Sequence, residues 1–232
     1  LRLSRAVGLT QTLPHGVSVS ARYERGVRTP FEEPTNRERD AGGAGLSWVG
    51  RSARAWLRGE VRSERGAGAE LLQTLAWGGG ELQLTDELRG TVSALFSHSM
   101  RGGFLAARLF EGIAALAWRF SAGMAVLRYT FRRERRPGEV DDIFRHRVSL
   151  LPSVKLFSRL TVYGGAHLQY DNGGLTVMAS LRPSVRVVGG LELALEAAET
   201  STAIQGSLTA LRAEAGYRFG DAFLLALGGT II

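Results

Sequence analysis

The most constraining feature of this chain is a two-residue rhythm that outlasts ordinary strands. Residues 53–64 set Ala53, Ala55, Leu57, Gly59 and Val61 against Arg54, Trp56, Arg58, Glu60, Arg62 and Glu64. Extended backbone throws successive side chains to opposite faces, so the two sets become the two faces of one strand. On a helix both sets would be smeared around the cylinder. The division recurs in 17–24 (Val17, Val19, Ala21, Tyr23 against Ser18, Ser20, Arg22, Glu24) and in 124–133 (Ala125, Leu127, Tyr129, Phe131 against Arg128, Thr130, Arg132). It recurs again in 160–171 and 175–187, whereas 104–118 is apolar on both faces.

Run length then selects the class. Soluble strands average about 5–6 residues. These runs last roughly 9–14, and a tilted strand needs about 9–11 to cross a bilayer. Lipid satisfies no backbone hydrogen bond, so a spanning sheet has to close on itself. The expectation is an all-β, transmembrane, antiparallel up-and-down β-barrel, apolar side chains facing lipid and polar ones facing a lumen. The aromatics Tyr23, Trp48, Trp77, Trp118, Phe131, Tyr170 and Tyr217 fall near run ends, where an interfacial girdle would sit.

The breaks alternate in kind. Short turns are expected at 13–16, 50–53, 85–88, 119–123, 155–159, 187–190 and 219–222, and longer polar loops at 24–43, 63–69, 97–103, 133–142, 170–174 and 197–206. That layout gives about 14 strands in one domain over 1–232, with the short turns periplasmic. Both ends would then fall on the outer side, and the chain ends in LALGGTII rather than on an aromatic. The expectation is a fragment lacking one strand at each end of a barrel of about 16, or else a 14-stranded barrel with unusual termini.

Composition removes other classes. No run of 18 apolar residues occurs; GIAALAW at 112–118 is bracketed by Glu111 and Arg119, which argues against a spanning helix. Cysteine is absent, excluding disulfide scaffolds and thiolate metal sites. The net charge is +7, and of 29 basic residues only Lys155 is lysine, a bias that GC-rich coding explains as readily as function. Thirty glycines without a collagen period suit turns and close backbone approach, including GGG at 78–80.

Two stretches, LTALRAEAGYRFGDAFLLALGG and SLRPSVRVVGGLELALEAAE, resemble the C-terminal barrel domains of large bacterial outer-membrane surface and secretion proteins of GC-rich organisms. In those, a GYR-turn-hydrophobic strand unit precedes a surface loop and a last aromatic-ended strand, which is missing here. The resemblance implies a bacterial outer-membrane location, contact with lipid bilayer and lipopolysaccharide, and insertion by barrel-assembly machinery. It implies no substrate.

The candidate lumen residues are Arg22, Arg54, Arg58, Glu60, Arg62, Arg128, Arg182, Arg186, Glu192, Glu196 and Arg212, with Arg132, Arg145, Arg147, Arg218, Glu24, Glu134 and Glu214 beside them. One reading is a cationic pore favouring anionic small solutes. The structural alternative is a ladder of Arg–Glu pairs that braces the wall and neutralises itself, as in an anchor for an upstream surface domain. The polar loop 24–43 is a candidate plug.

The run RRERRPGEVDD at 132–142 offers arginines to nucleic acid or to anionic lipopolysaccharide, but its acidic half opposes its basic half and the expectation is a solvated loop; no aromatic reading surface accompanies it, so nucleic acid is not expected. His98 lies between Ser97 and Ser99, and DDIFRH brings Asp141 and Asp142 near His146 in sequence. Hydrolase chemistry needs a nucleophile, a base and an orienting third group across strands. No lipase motif, metal-ligand spacing or cofactor motif is present, and the reading is not an enzyme.

Overall fold

In a computed structural model, the described residues are 2–28, 37–66, 70–139, 141–187, 191–202, 206–219 and 223–231. Among them are fourteen strands: β1 (Arg2–Leu13), β2 (Val17–Arg28), β3 (Arg37–Val49), β4 (Ala53–Arg65), β5 (Leu71–Gln83), β6 (Leu88–Arg101), β7 (Phe104–Phe120), β8 (Gly123–Arg135), β9 (Ile143–Lys155), β10 (Leu160–Asp171), β11 (Gly174–Arg186), β12 (Leu191–Thr202), β13 (Gly206–Phe219) and β14 (Phe223–Ile231). They run up and down in one sheet, hydrogen-bonded in chain order from β1 to β14. No helix among the described residues is long and apolar enough to cross a membrane.

The chain forms two compact units. The first comprises Leu1–Leu84, Gly90–Ala114 and Phe131–Phe144; the second comprises Thr85–Arg89, Ala115–Thr130 and Arg145–Ile232.

Among the described residues the expected short turns stand where the periodicity breaks; those at 187–190 and 219–222 lie largely outside the described residues. The described turns include Pro14–Gly16 and the links 50–52, 84–87, 121–122 and 156–159. At 84–87 the Thr85 hydroxyl accepts from the backbone N–H groups of Glu87 and Leu88 (3.2 and 3.0 Å), closing the turn. The opposite ends correct the sequence reading. Loop 97–103 shrinks to Gly102 and Gly103, with φ of 56° and 85°. Two consecutive positive φ values define the primed hairpin turn that glycine supplies without steric cost. Loop 170–174 shrinks to Asn172–Gly173, where Asp171 accepts from the Gly173 N–H at 3.0 Å.

The polar stretch 24–43 is mostly strand too, because Arg25 pairs with Asp40 and Glu24 with Ala41 in the β2–β3 ladder. Residues 29–36, and with them the core of the candidate plug, lie outside the described residues. The physical reason is common to these cases. Alternating polarity reports a strand only where one face meets an apolar medium. Where the ladder continues into water, both faces carry polar residues and the signal disappears while the hydrogen bonds persist.

Burial is inverted relative to a soluble sheet. Along β11, Leu175, Val177, Leu181 and Val185 are 40–55% exposed, while Thr176, Ser180 and Arg182 alternate with them half-buried and Ser184 is 5% exposed. In the first unit Val7, Leu9, Leu46 and Leu57 are similarly open. The buried apolar side chains among the described residues are small, Ala41 and Ala194. Leaving a Leu or Val in water forgoes about 1.5–3 kcal/mol per side chain. Dozens of such exposures are sustainable only against hydrocarbon.

Candidate functional site: the polar face

Register fixes which side chains share a face, because directly paired residues of an antiparallel ladder project the same way. In the first unit, Arg22 pairs with Gly43, Gly43 with Glu60 and Glu60 with Leu75. The same ladders put Arg54, Arg58 and Arg62 on that face, with Arg54 opposite Glu81. In the second unit, Arg182 pairs with Tyr163, Arg186 with Glu192, and Glu196 with Arg212. Arg128 alternates with Tyr129, whose hydroxyl meets His146 Nδ1 at 2.8 Å on the apolar side, so Arg128 lies on the polar side with Arg147. Each unit therefore gathers its candidate residues on one polar face. Arg132, Arg145, Arg147, Glu24, Glu134 and Glu214 follow the same alternation; the side chain of Arg218 lies outside the described ones.

The first unit's polar face is closely neutralised. Arg54 meets Glu81 at 2.6 Å, Arg22 meets Glu24 at 3.1 Å, and Arg62 pairs with Glu60. Glu134 takes Arg132 at 2.8 Å and Arg136 at 2.7 Å. Arg58 forms no ion pair among the described residues. Trp56, assigned to the polar set, lies among these arginines, and so does Trp77, opposite Arg58. Trp77 is thus a correction to the girdle, since alternation alone puts it off the apolar face. The other six expected aromatics lie on the apolar faces of their strands. Gly79 makes room for the Trp56 indole: a Cβ there would fall 2.6 Å from Trp56 Cζ2 and 2.6 Å from the Val92 carbonyl oxygen.

In the second unit Glu214 serves two arginines, Arg182 and Arg212, each at 2.5 Å, and Arg145 lies 3.8 Å from Asp171. Ser184 donates to Glu192. Arg128 and Arg186 are exposed and have no ion-pair partner among the described residues. A polar chain runs beside them that sequence reasoning did not assemble. Arg147 Nε donates to Gln169 Oε1 at 3.0 Å, Gln169 donates to Asp171 at 2.9 Å, and Ser149 Oγ lies 2.8 Å from His167 Nδ1. Ser149 and Gln169 are 4% and 8% exposed. Each member sits on the polar set of its own strand; only the β9–β10 register, pairing His167 with Ser149 and Gln169 with Arg147, joins them.

The hydrolase candidates separate. Ser97 and Ser99 lie on the opposite face of β6 from His98, whose ring stacks beside Phe96 at 6.5 Å, while Ser97 receives a hydrogen bond from Gln73 at 3.3 Å. Asp142 is held by Arg133 at 2.5 Å and His146 by Tyr129. His167 has a serine but no carboxylate partner among the described residues, so the orienting third group is missing. No cluster of three or more His, Asp or Glu among the described residues is arranged to hold a metal ion.

The arrangement can do two things chemically. It can brace a sheet through paired charges, and it can present unpaired guanidinium groups to an anion.

No protein-family model matches the sequence, and no curated protein matches it. Solved structures do. The chain is similar to BauA, the ferric preacinetobactin receptor of Acinetobacter baumannii, at TM-score 0.76 and 10% identity over 99% of this chain and 52% of that one. It is similar to the ferric enterobactin receptor PfeA of Pseudomonas aeruginosa at TM-score 0.76 and 8% identity (98% and 50% covered). It is also similar to the siderophore receptor PirA of the same organism at TM-score 0.74 and 11% identity (98% and 51% covered). These neighbours are receptors rather than the surface and secretion proteins that the C-terminal stretches resemble. The chain spans about half the length of the receptors it matches, and its fold is that of a Gram-negative outer-membrane β-barrel.

Proposed function

We propose that this chain is wall of an outer-membrane transport barrel, its polar face lining a path for anionic solutes. The inverted burial carries the reading: apolar side chains outward at 40% exposure and above, polar ones such as Ser149 and Gln169 enclosed. The eleven candidates from Arg22 to Arg212 are then lumen-lining residues. The unpaired Arg58, Arg128 and Arg186 supply its positive field, which a low-dielectric wall focuses. The matched receptors for ferric preacinetobactin and ferric enterobactin extend the proposed solute class to metal chelates. The single barrel domain over 1–232, as part of a larger barrel, belongs to this proposal, as do its lipopolysaccharide surroundings and its insertion by assembly machinery.

The test is planar-bilayer conductance of the refolded chain under a salt gradient. A reversal potential of anion-selective sign supports the path. Insertion with no conductance favours the second reading, a structural anchor with a blocked lumen, for which the closely paired charges of the first unit speak. The geometry does not favour hydrolysis: His98 lies on the opposite face from Ser97 and Ser99, and the His167–Ser149 pair lacks a carboxylate partner among the described residues.

A further inference from the structure

The apolar face of the first unit changes character toward its long-loop end. On β7, Phe110 is followed outward by Arg108; on β8, Phe131 is followed by Arg133 and Arg135. Phe110 and Phe131 pack at 5.9 Å between centroids. With Phe96 they floor a cleft of about 400 Å³ whose remaining walls are Arg108, Arg133, Arg135 and Asp142. Arg133 is held in place from two sides, its guanidinium 5.2 Å from the Phe144 ring and 2.5 Å from Asp142. Asp142 also lies 3.9 Å from Arg135. One carboxylate thus stands against three guanidinium groups, and Arg108 has no acidic partner among the described residues.

A lipid-facing arginine near the bilayer midplane costs about 2–4 kcal/mol, falling to about 0–1 at the interface. Three of them beside three phenylalanines mark the level where acyl chains give way to charged headgroups. Guanidinium forks match phosphate oxygens, and aromatic rings match acyl chains.

We infer that this cleft binds one phosphorylated acyl lipid of the surrounding leaflet, its phosphate between Arg108 and Arg135 and its acyl chain along Phe96, Phe110 and Phe131. Arg133, already committed to Asp142, positions the cleft rather than closing on the phosphate. The inference rests on the membrane reading, and the experiment separates the two: a chain that never inserts into micelles fails that reading, whereas one that inserts without lipid preference fails only this one.

The experiment is native mass spectrometry of the full chain in neutral detergent with phosphatidic acid or with diacylglycerol of the same chains. The unaltered chain retains phosphatidic acid in preference to diacylglycerol, and excess inorganic phosphate does not displace it. The double variant Arg108→Gln, Arg135→Gln loses about tenfold in retention, the scale expected for charge-assisted hydrogen bonds. Arg51→Gln, at a turn on the other end of the strands, retains the lipid fully. Equal retention of diacylglycerol by the unaltered chain overturns the proposal, as does full displacement by inorganic phosphate. Both read on the unaltered protein, so the proposal stays testable even if the double variant fails to fold.

Discussion

The polar faces of the two units are built from the same residue types and use them differently. In the first, Arg22, Arg54, Arg62 and Arg132 each have a glutamate on the same face. In the second, Glu214 is shared by Arg182 and Arg212, Arg147 is bonded to a neutral glutamine, and Arg128 and Arg186 stay unpaired among the described residues. A paired guanidinium braces the sheet and contributes little external field. An unpaired one does the reverse. The first unit thus pairs most of these arginines and leaves Arg58 without an ion pair among the described residues, whereas the second shares one glutamate between two and leaves two unpaired, although both read alike as alternating arginine in the sequence.

The comparison can be broken most forcefully through what the two units share, their lipid-facing surface. Leu57→Arg in the first unit and Leu181→Arg in the second should each destabilise the folded protein in bilayers by about 2–4 kcal/mol, read by urea unfolding in vesicles. A cost near zero in either would mean that its unit does not face hydrocarbon. Next in size is Gly79→Ala in the first unit. The added Cβ meets both Trp56 and the Val92 carbonyl, and overpacking of this kind costs about 1–3 kcal/mol. Adding Trp56→Leu should recover only part of the loss, because the carbonyl remains; full recovery would show that the ring alone sets the spacing.

Charge removal sharpens the contrast itself. Arg128→Gln with Arg186→Gln should lower the anion-to-cation permeability ratio by about threefold, on the order of the field effect of two exposed charges. Arg54→Gln should change it less, and should instead cost up to about 1 kcal/mol in stability, a modest figure because that side chain is 57% exposed. Equal permeability changes in both variants would erase the distinction between the units.

The smallest effect lies outside the strands. The Ser63 hydroxyl, and after it the Arg65 guanidinium, holds the Glu70 carboxyl below the usual glutamate range. A depressed folded value means stabilisation that is fully present above the unfolded value and is lost as pH falls through the folded one. An NMR titration should find Glu70 titrating low, and Ser63→Ala and Arg65→Gln should each raise its midpoint; an unmoved midpoint in both would show that neither group holds the carboxylate.

The opening hairpins show how far periodicity reaches. Residues 53–65 form β4 with the two faces that their alternation implies, and the turn expected at 155–159 falls at 156–159. Legibility stops at the long-loop ends. Arg25, Glu38, Asp40 and Arg65 look like loop residues because both faces there meet water, yet their backbones pair as strand. Tyr23 marks the border, its hydroxyl donating to Asp40 at 2.7 Å. The RGG of 101–103 was a readable hairpin signal, hidden by the polar residues around it.

The sequence by itself determined that the backbone is extended, that one face of each long strand is apolar, and that arginine keeps to the other. Those properties belong to single strands, because the side-chain period of two is local chemistry. Only the tertiary structure decided that Arg54 reaches Glu81, that His167 meets Ser149, that His98 is parted from its flanking serines, and that Arg108, Arg133 and Arg135 gather over three phenylalanines. Cross-strand partnership depends on register. Register is set by turn geometry and by how far each ladder extends beyond the apolar zone, where hydropathy no longer tracks the fold.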